Sequence, residues 1–154
     1  MNRSALLLLT ALFQAAALSP AALAESTSND HAADVEAVRS AVLDYVEGLY
    51  EVAPERIARS VHPELAKRGW TRRADGSFRE HPLTFEKLVE AAKRYNRDGH
   101  VADDAPKEIV IYEVLDKTAS VKLTAEWGVD FMHLVKLDDK WLIKNVLWQS
   151  HPEP

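Results

Sequence analysis

The decisive stretch reads VDFMHLVKL, then DDK, then WLIKNVLWQ, residues 129–149. Its two arms, Val129–Leu137 and Trp141–Gln149, are rich in β-branched and aromatic residues, as strands are. Asp138-Asp139-Lys140 suits a tight antiparallel turn between them. A three-residue turn there pairs Leu137 with Trp141, Val135 with Ile143, His133 with Asn145 and Phe131 with Leu147. A two-residue turn would set Lys144 opposite His133 and bury a lysine, so the first register is the expected one. Alternation then puts Phe131, His133 and Val135 on one face and Met132, Leu134 and Lys136 on the other.

Two more strands precede these, Glu108–Val114 and Ala119–Trp127, with tight connections at Asp116-Lys117 and Gly128. Asn96 to Pro106 reads as a polar loop. Upstream of it, Leu83-Thr84 opens a helix whose buried face is Phe85, Leu88, Val89, Ala92 and Tyr95, with Thr84 as its cap. Trp70–Glu80 reads as a hairpin with Asp75-Gly76 at its tip. A short helix starts at Pro54 and carries Ile57, Ala58 and Val61 until His62-Pro63 interrupts it. Leu65 to Arg68 adds a further turn, closed by Gly69. From Asp34, Val35, Val38, Val42, Val46 and Leu49 recur at helical spacing. The fold class is therefore α+β: about three N-terminal helices packed on a curved antiparallel sheet, enclosing a cone.

The first segment reads as an address. Arg3, the apolar run Ala5–Leu18 and the small residues of Ala22-Leu23-Ala24 form the pattern of a secretory signal, residues 1–24, cleaved before Glu25. The apolar run is too short to span a bilayer. Residues 25–33 are expected to be flexible, and 34–150 to form a single domain. The chain has 154 residues, 47% hydrophobic, with a formal charge of −5 that becomes −6 once Arg3 is lost. A domain of this size buries roughly two thirds of its unfolded surface and needs no staples. It has no Cys, which excludes disulfides, thiolate metal sites and a thiol nucleophile. Its acidity argues against nucleic acid as a partner. The expected location is outside the cytoplasm, in a bacterial periplasm, without stable membrane insertion after cleavage.

The order of elements resembles the nuclear-transport-factor-2-like (SnoaL-like) superfamily, the cone shared with ketosteroid isomerase and polyketide cyclases. Local strings are similar to its putative lumazine-binding family. They are Asp44-Tyr45 with Gly48-Leu49-Tyr50, His62-Pro63-Glu64-Leu65-Ala66-Lys67-Arg68, and the closing strands Val129–Leu137 and Lys140–Val146. Asp139 departs from the pattern, standing where such turns carry Gly. The resemblance implies a cone with a pocket and frequent dimers. It implies no reaction.

Tyr45, Tyr50, His62, Trp70, Trp127, Phe131, His133 and Asn145 are the expected pocket residues. The aromatic members suit a flat ligand, and equally an ordinary core. His133 and Tyr45 are the catalytic candidates, His133 because its charge state changes near neutrality. The plain alternative is a core histidine satisfied by Asn145. His62 either points into the cone mouth or caps the helix break. Isomerase chemistry also needs an inward carboxylate. Alternation sends Asp130 to the face away from His133, leaving Asp44 and Glu47 beside Tyr45 as alternatives. Lys67, Arg68, Arg72, Arg73 and Arg79 read as a solvated hairpin surface. The six histidines show no HxH or HExxH spacing, so neither metal nor cofactor is expected.

Met132, Leu134, Leu142, Val146 and Trp148 make the opposite face apolar too, which predicts a homodimer through it. Three functional readings remain. The first is an exported binder of a small apolar or aromatic molecule that it does not transform. The second is an isomerase, dehydratase or cyclase using acid-base groups in the cone. The third is a dimeric interaction module whose cone is filled.

Overall fold

The computed structural model describes residues 20–152, with side chains from Asn29 onward. Most of the expected signal segment lies outside the described residues. The elements run α1 (Pro20–Tyr50), α2 (Pro54–Ser60), β1 (Val61–Arg72), β2 (Phe78–Leu83), α3 (Phe85–Ala92), β3 (Glu108–Val114), β4 (Thr118–Ala125), β5 (Gly128–Leu137) and β6 (Lys140–Gln149). The six strands form one sheet in the order β2-β1-β6-β5-β4-β3. All pairs are antiparallel except β1 with β6, which is parallel. No helix among the described residues is long and apolar enough to cross a membrane.

Val38, Val42, Val46 and Leu49 of α1 are buried, as their spacing predicts, and Tyr45 joins them. The helix itself starts at Pro20 rather than Asp34, so the backbone of 25–33, expected to be flexible, is helical. Ala21, Ala22, Ala24, Ala32 and Ala33 favour helix without making an apolar stripe, and periodicity is blind to that. Asp34 is therefore inside the helix. Its carboxylate accepts from Trp141 Nε1 at 2.9 Å and pairs with Lys136 Nζ at 2.7 Å, tying α1 to β5 and β6. The Lys136 bond chiefly holds its pKa below the ordinary value. At the other end, Arg56 of α2 reaches Asp44, Glu47 and Glu51, and Arg59 reaches Asp44, pinning α2 to α1.

The first correction concerns Leu65–Arg68, expected as a helical turn. These residues are the middle of strand β1, which turns Leu65, Lys67 and Gly69 inward and Ala66 and Arg68 outward. Pro63 falls where the β1–β6 register shifts, between Val61 and Ala66, so its missing N–H breaks no regular ladder.

The second correction concerns the faces of β5 and β6. Asp138 and Asp139 have φ of 46° and 60°, and this two-residue turn pairs Leu137 with Lys140. Both positions need the left-handed region, which Asp tolerates better than most residues. A bulge then absorbs Lys144, between Leu134↔Ile143 and His133↔Asn145. His133 does pair with Asn145, and Phe131 with Leu147, as expected. These pairs, however, lie on the side away from the helices. Met132, Leu134 and Val146, expected at an outer dimer interface, are core residues. Trp148 also packs against the core, and of the five only Leu142 faces outward, opposite Val135.

The reason is visible at the preceding turn. Ala125 pairs with Gly128, which sets Leu123 opposite Asp130 and Val121 opposite Met132. The buried residues of β4 thus carry Asp130, Met132 and Leu134 inward. Gly128 has φ of 141°, and a Cβ there would lie 2.0 Å from the Gln149 carbonyl oxygen.

Candidate functional site

Two inward positions of the sheet carry charge. Asp130 on β5 is 0% exposed and Lys67 on β1 is 6% exposed. Lys67 Nζ donates to Asp130 Oδ1 at 2.8 Å and to the Tyr45 hydroxyl at 2.6 Å. Trp127 Nε1 donates to the other carboxylate oxygen, Oδ2, at 2.7 Å. Two buried charges are tolerable only when each is paired and its remaining hydrogen-bonding capacity is largely used, and this cluster meets that condition for the carboxylate. Burial pushes the Lys67 pKa down, with Asp130 opposing it, and pushes the Tyr45 hydroxyl well above its ordinary value. Lys67 also lies 5.3 Å from the centre of the Tyr45 ring and of the Trp148 ring.

Trp127 sits at the centre of an aromatic group. Tyr45, Tyr50 and Tyr95 meet it edge-on at centroid distances of 6.0, 5.7 and 5.7 Å. Tyr50 is a strut: its hydroxyl accepts from the Glu126 N–H at 2.7 Å and donates to the Pro106 carbonyl at 2.9 Å. Above the charged cluster is a cavity of about 130 Å³, walled by Tyr45, Leu49, Lys67, Leu88, Tyr95, Trp127 and Trp148 among others. Trp148 lies flat on β1 because residue 69 is glycine; a Cβ there would fall 1.9 Å from the indole. His81 of β2 stacks on the same indole at 6.3 Å.

Of the expected pocket residues, Tyr45 and Trp127 line this cavity and Tyr50 buttresses it. Five do not belong to it. Phe131, His133 and Asn145 lie on the outer face, where Phe131 is 49% exposed. Two larger pockets, of about 400 and 290 Å³, flank His133 and Asn145 there. Trp70 pairs with Gln149 on that same side. His62 lies within β1, where its Nδ1 accepts the Glu64 N–H at 3.0 Å and faces Lys144 Nζ of β6 at 3.1 Å, so it neither caps α2 nor lines the cavity. His133 is thus no partner for Tyr45 in acid-base work inside the cone.

Sequence reasoning missed Asp130, Lys67 and the inward indole of Trp148. Asp44 and Glu47, weighed as inward acids, instead hold Arg56 and Lys107 near the surface. The signal for Asp130 was its parity with Met132 and Leu134; for Lys67 it was the alternation Leu65, Lys67, Gly69, which disappears if the segment is read as a helical turn. Among the described residues no group of three His, Asp or Glu could hold a metal ion.

Comparison with known proteins places this geometry. Solved structures sharing the fold include an NTF2-like protein of unknown function from Silicibacter pomeroyi, 13% identical, with a TM-score of 0.58 over 80% of this chain and 98% of that one. Another is an NTF2-like protein of unknown function from Shewanella baltica, 15% identical, TM-score 0.56, covering 82% and 97%. A protein from Novosphingobium aromaticivorans described as a putative scytalone dehydratase is 15% identical, TM-score 0.53, covering 81% and 89%. At these identities the likeness establishes the fold alone. No curated protein matches the chain. The model of one family spans residues 33–149, from α1 to the last residue of β6: the chain belongs to the family described as putative lumazine-binding.

Proposed function

We propose that the protein is an exported, periplasmic binder of a small ring compound, held in the cone without being transformed. The observation that carries this is the cavity of about 130 Å³ with its aromatic wall. An apolar protein cavity of about 150 Å³ takes up benzene, so the space suits one ring rather than a fused pair. Export is supported by the Ala22-Leu23-Ala24 pattern after an apolar run.

The enzymatic alternative gains an inward carboxylate in Asp130, yet both of its oxygens are engaged, by Lys67 and by Trp127. A general base must be within reach of a substrate proton. Asp130 is sealed beneath the cavity wall by its own partners, which favours binding over proton transfer.

A homodimer is retained, through a different set of residues. Val110, Phe131 and Leu147 are 48%, 49% and 53% exposed and share one cross-strand row with Lys122. Six strands about 4.8 Å apart and roughly seven residues long offer on the order of 600 Å² of flat area. That approaches the roughly 800 Å² per partner of a standard interface, and a second copy satisfies it with one self-complementary patch.

Native mass spectrometry of the protein isolated from its own source tests the main reading. The chain should begin at Glu25 and carry a small-molecule adduct that is abolished by Ala91→Leu, a substitution at the α3 residue Ala91 in the cavity wall that fills the space. An unprocessed N-terminus overturns export. A ligand-free wild-type chain overturns binding.

A further inference from the structure

The outer face of the sheet carries one row of side chains unlike its neighbours. Glu113, Ser120, His133 and Asn145 stand side by side on β3, β4, β5 and β6, in consecutive ladder pairs. Strands about 4.8 Å apart bring such neighbours within reach of a single ligand. All four are polar, and among the described residues none has a hydrogen-bond or ion-pair partner for its side chain. The next row along is apolar at its centre, with Phe131 beside Leu147.

The register of the sheet breaks three times beside this polar row. The breaks lie between Ile111 and Glu113 in β3–β4, between His133 and Leu134 in β5–β6, and between Val61 and Ala66, the partner of Asn145, in β1–β6. Bulges re-aim side chains and gather next to functional sites. Here they border a pocket of about 400 Å³, against about 130 Å³ for the cavity under the helices. The row lines it together with Leu115, Thr118, Val135 and Lys144. Its wall exposes polar as well as apolar atoms, whereas the inner cavity exposes apolar atoms alone. Neither Phe131 nor Leu147 lines it, so the pocket lies beside the dimer patch rather than in it.

The side chains narrow the ligand. A serine hydroxyl, an asparagine amide and an imidazole in its neutral form each donate and accept. A sugar hydroxyl does the same, and Leu115 and Val135 offer apolar surface to the C–H face of a sugar ring. The charges do not suit an ion. Lys144 is already matched by Glu64 at 2.6 Å, so an anion would find the unmatched Glu113 carboxylate and no free ammonium. A cation would use Glu113 and leave the donors of Ser120, His133 and Asn145 idle.

We propose that this pocket is a second binding site, for a neutral saccharide whose hydroxyls bridge Ser120, His133 and Asn145. It goes beyond the reading of the inner cavity, and either site can fail without the other.

The test titrates the isotope-labelled full chain with glucose and galactose, each alongside its uronate and its amino sugar. Nuclear magnetic resonance follows the Asn145 side-chain amide, the His133 ring and the Trp127 indole. The expected result is that at least one neutral sugar binds with a Kd in the millimolar range, moving the Asn145 and His133 signals and leaving Trp127 in place. Its uronate and amino sugar should bind more weakly. His133→Ala and Asn145→Ala each remove hydrogen bonds from an exposed position and should weaken binding about tenfold. Leu147→Ala, one row away, should leave it unchanged. Tighter binding of the uronate or the amino sugar overturns the requirement for a neutral ligand. Shifts confined to Trp127 or other residues overturn the placement. No shift with either neutral sugar at roughly 50 mM, where a millimolar Kd would give near saturation, overturns the site and leaves a solvated row.

Discussion

Asp130 and His133 are three residues apart on β5 and point to opposite sides of it. Asp130 is sealed under the helices with a lysine, a tyrosine within the same network and a tryptophan around it. His133 stands on the outer face beside two pockets, opposite Ser120 and Asn145. By type alone the histidine is the easier residue to bury, since it can shed its charge at neutral pH, whereas a carboxylate must be matched. Partners decided otherwise. A polar side chain goes inside where neighbouring strands and helices supply its counter-charge and donors, and here those came from β1, α1 and the β4–β5 turn.

The sharpest way to break this comparison is to remove one partner on each face. Asp130→Ala leaves the Lys67 ammonium buried and unpaired, and should cost about 3–5 kcal/mol. For a domain of this size that lowers the Tm by about 10–20 °C. His133→Ala should change stability by no more than about 0.5 kcal/mol. Thermal and urea unfolding of the two variants check the contrast, and similar losses would mean the faces are assigned wrongly. The double variant Lys67→Met with Asp130→Leu sharpens it. Removing both charges together should recover most of the loss, because the pair itself repays little beyond its own desolvation.

A smaller effect is expected at Gly69. Its Ala variant places a methyl group where the Trp148 indole lies, so the ring must shift. Overpacking of this kind costs roughly 1–3 kcal/mol. Near-ultraviolet circular dichroism should report the displaced indole, whereas Leu147→Ala on the outer face should leave that signal alone. An unchanged spectrum in Gly69→Ala would place the indole elsewhere.

The smallest effect on the fold, and the largest on assembly, belongs to Phe131. Phe131→Glu adds a charge to an exposed position and should leave monomer stability within about 0.5 kcal/mol. In a dimer it buries an unpaired carboxylate. Sedimentation should therefore show a wild-type dimer and a monomeric variant at micromolar concentration. A monomeric wild-type chain removes the dimer.

Much of the fold was legible in the residues. The alternating, β-branched stretches located β3 to β6 to within one or two residues. The stripe Val38, Val42, Val46, Leu49 marked the buried side of α1, and Thr84 the start of α3, where it accepts from the Lys87 N–H at 3.4 Å. Pro54 marked α2, and Asp75-Gly76 the hairpin tip, where Gly76 has φ of 81°. The candidate site was half legible. Tyr45 and Trp127 were named from their aromatic character, while Lys67 was mistaken for part of a solvated surface and Asp130 was turned outward.

What the sequence determined by itself, then, was most of the helices and strands and their order, because these follow from local periodicity and turn chemistry, while the short strings around Tyr45, His62 and β5–β6 carried the family resemblance. Which side of β5 and β6 meets the helices was decided only in the folded sheet. Strand side chains repeat every two residues, so one residue of turn length, or one bulge, exchanges the faces of a strand completely. The two-residue turn at Asp138-Asp139 and the bulge at Lys144 each shift the count by one, and they cancel in the pairing of His133 with Asn145. The pairing therefore looks the same with either face inward. Only the packing of Met132, Leu134, Ile143 and Val146 under α1, and the closing of Lys67 onto Asp130, selects one of them.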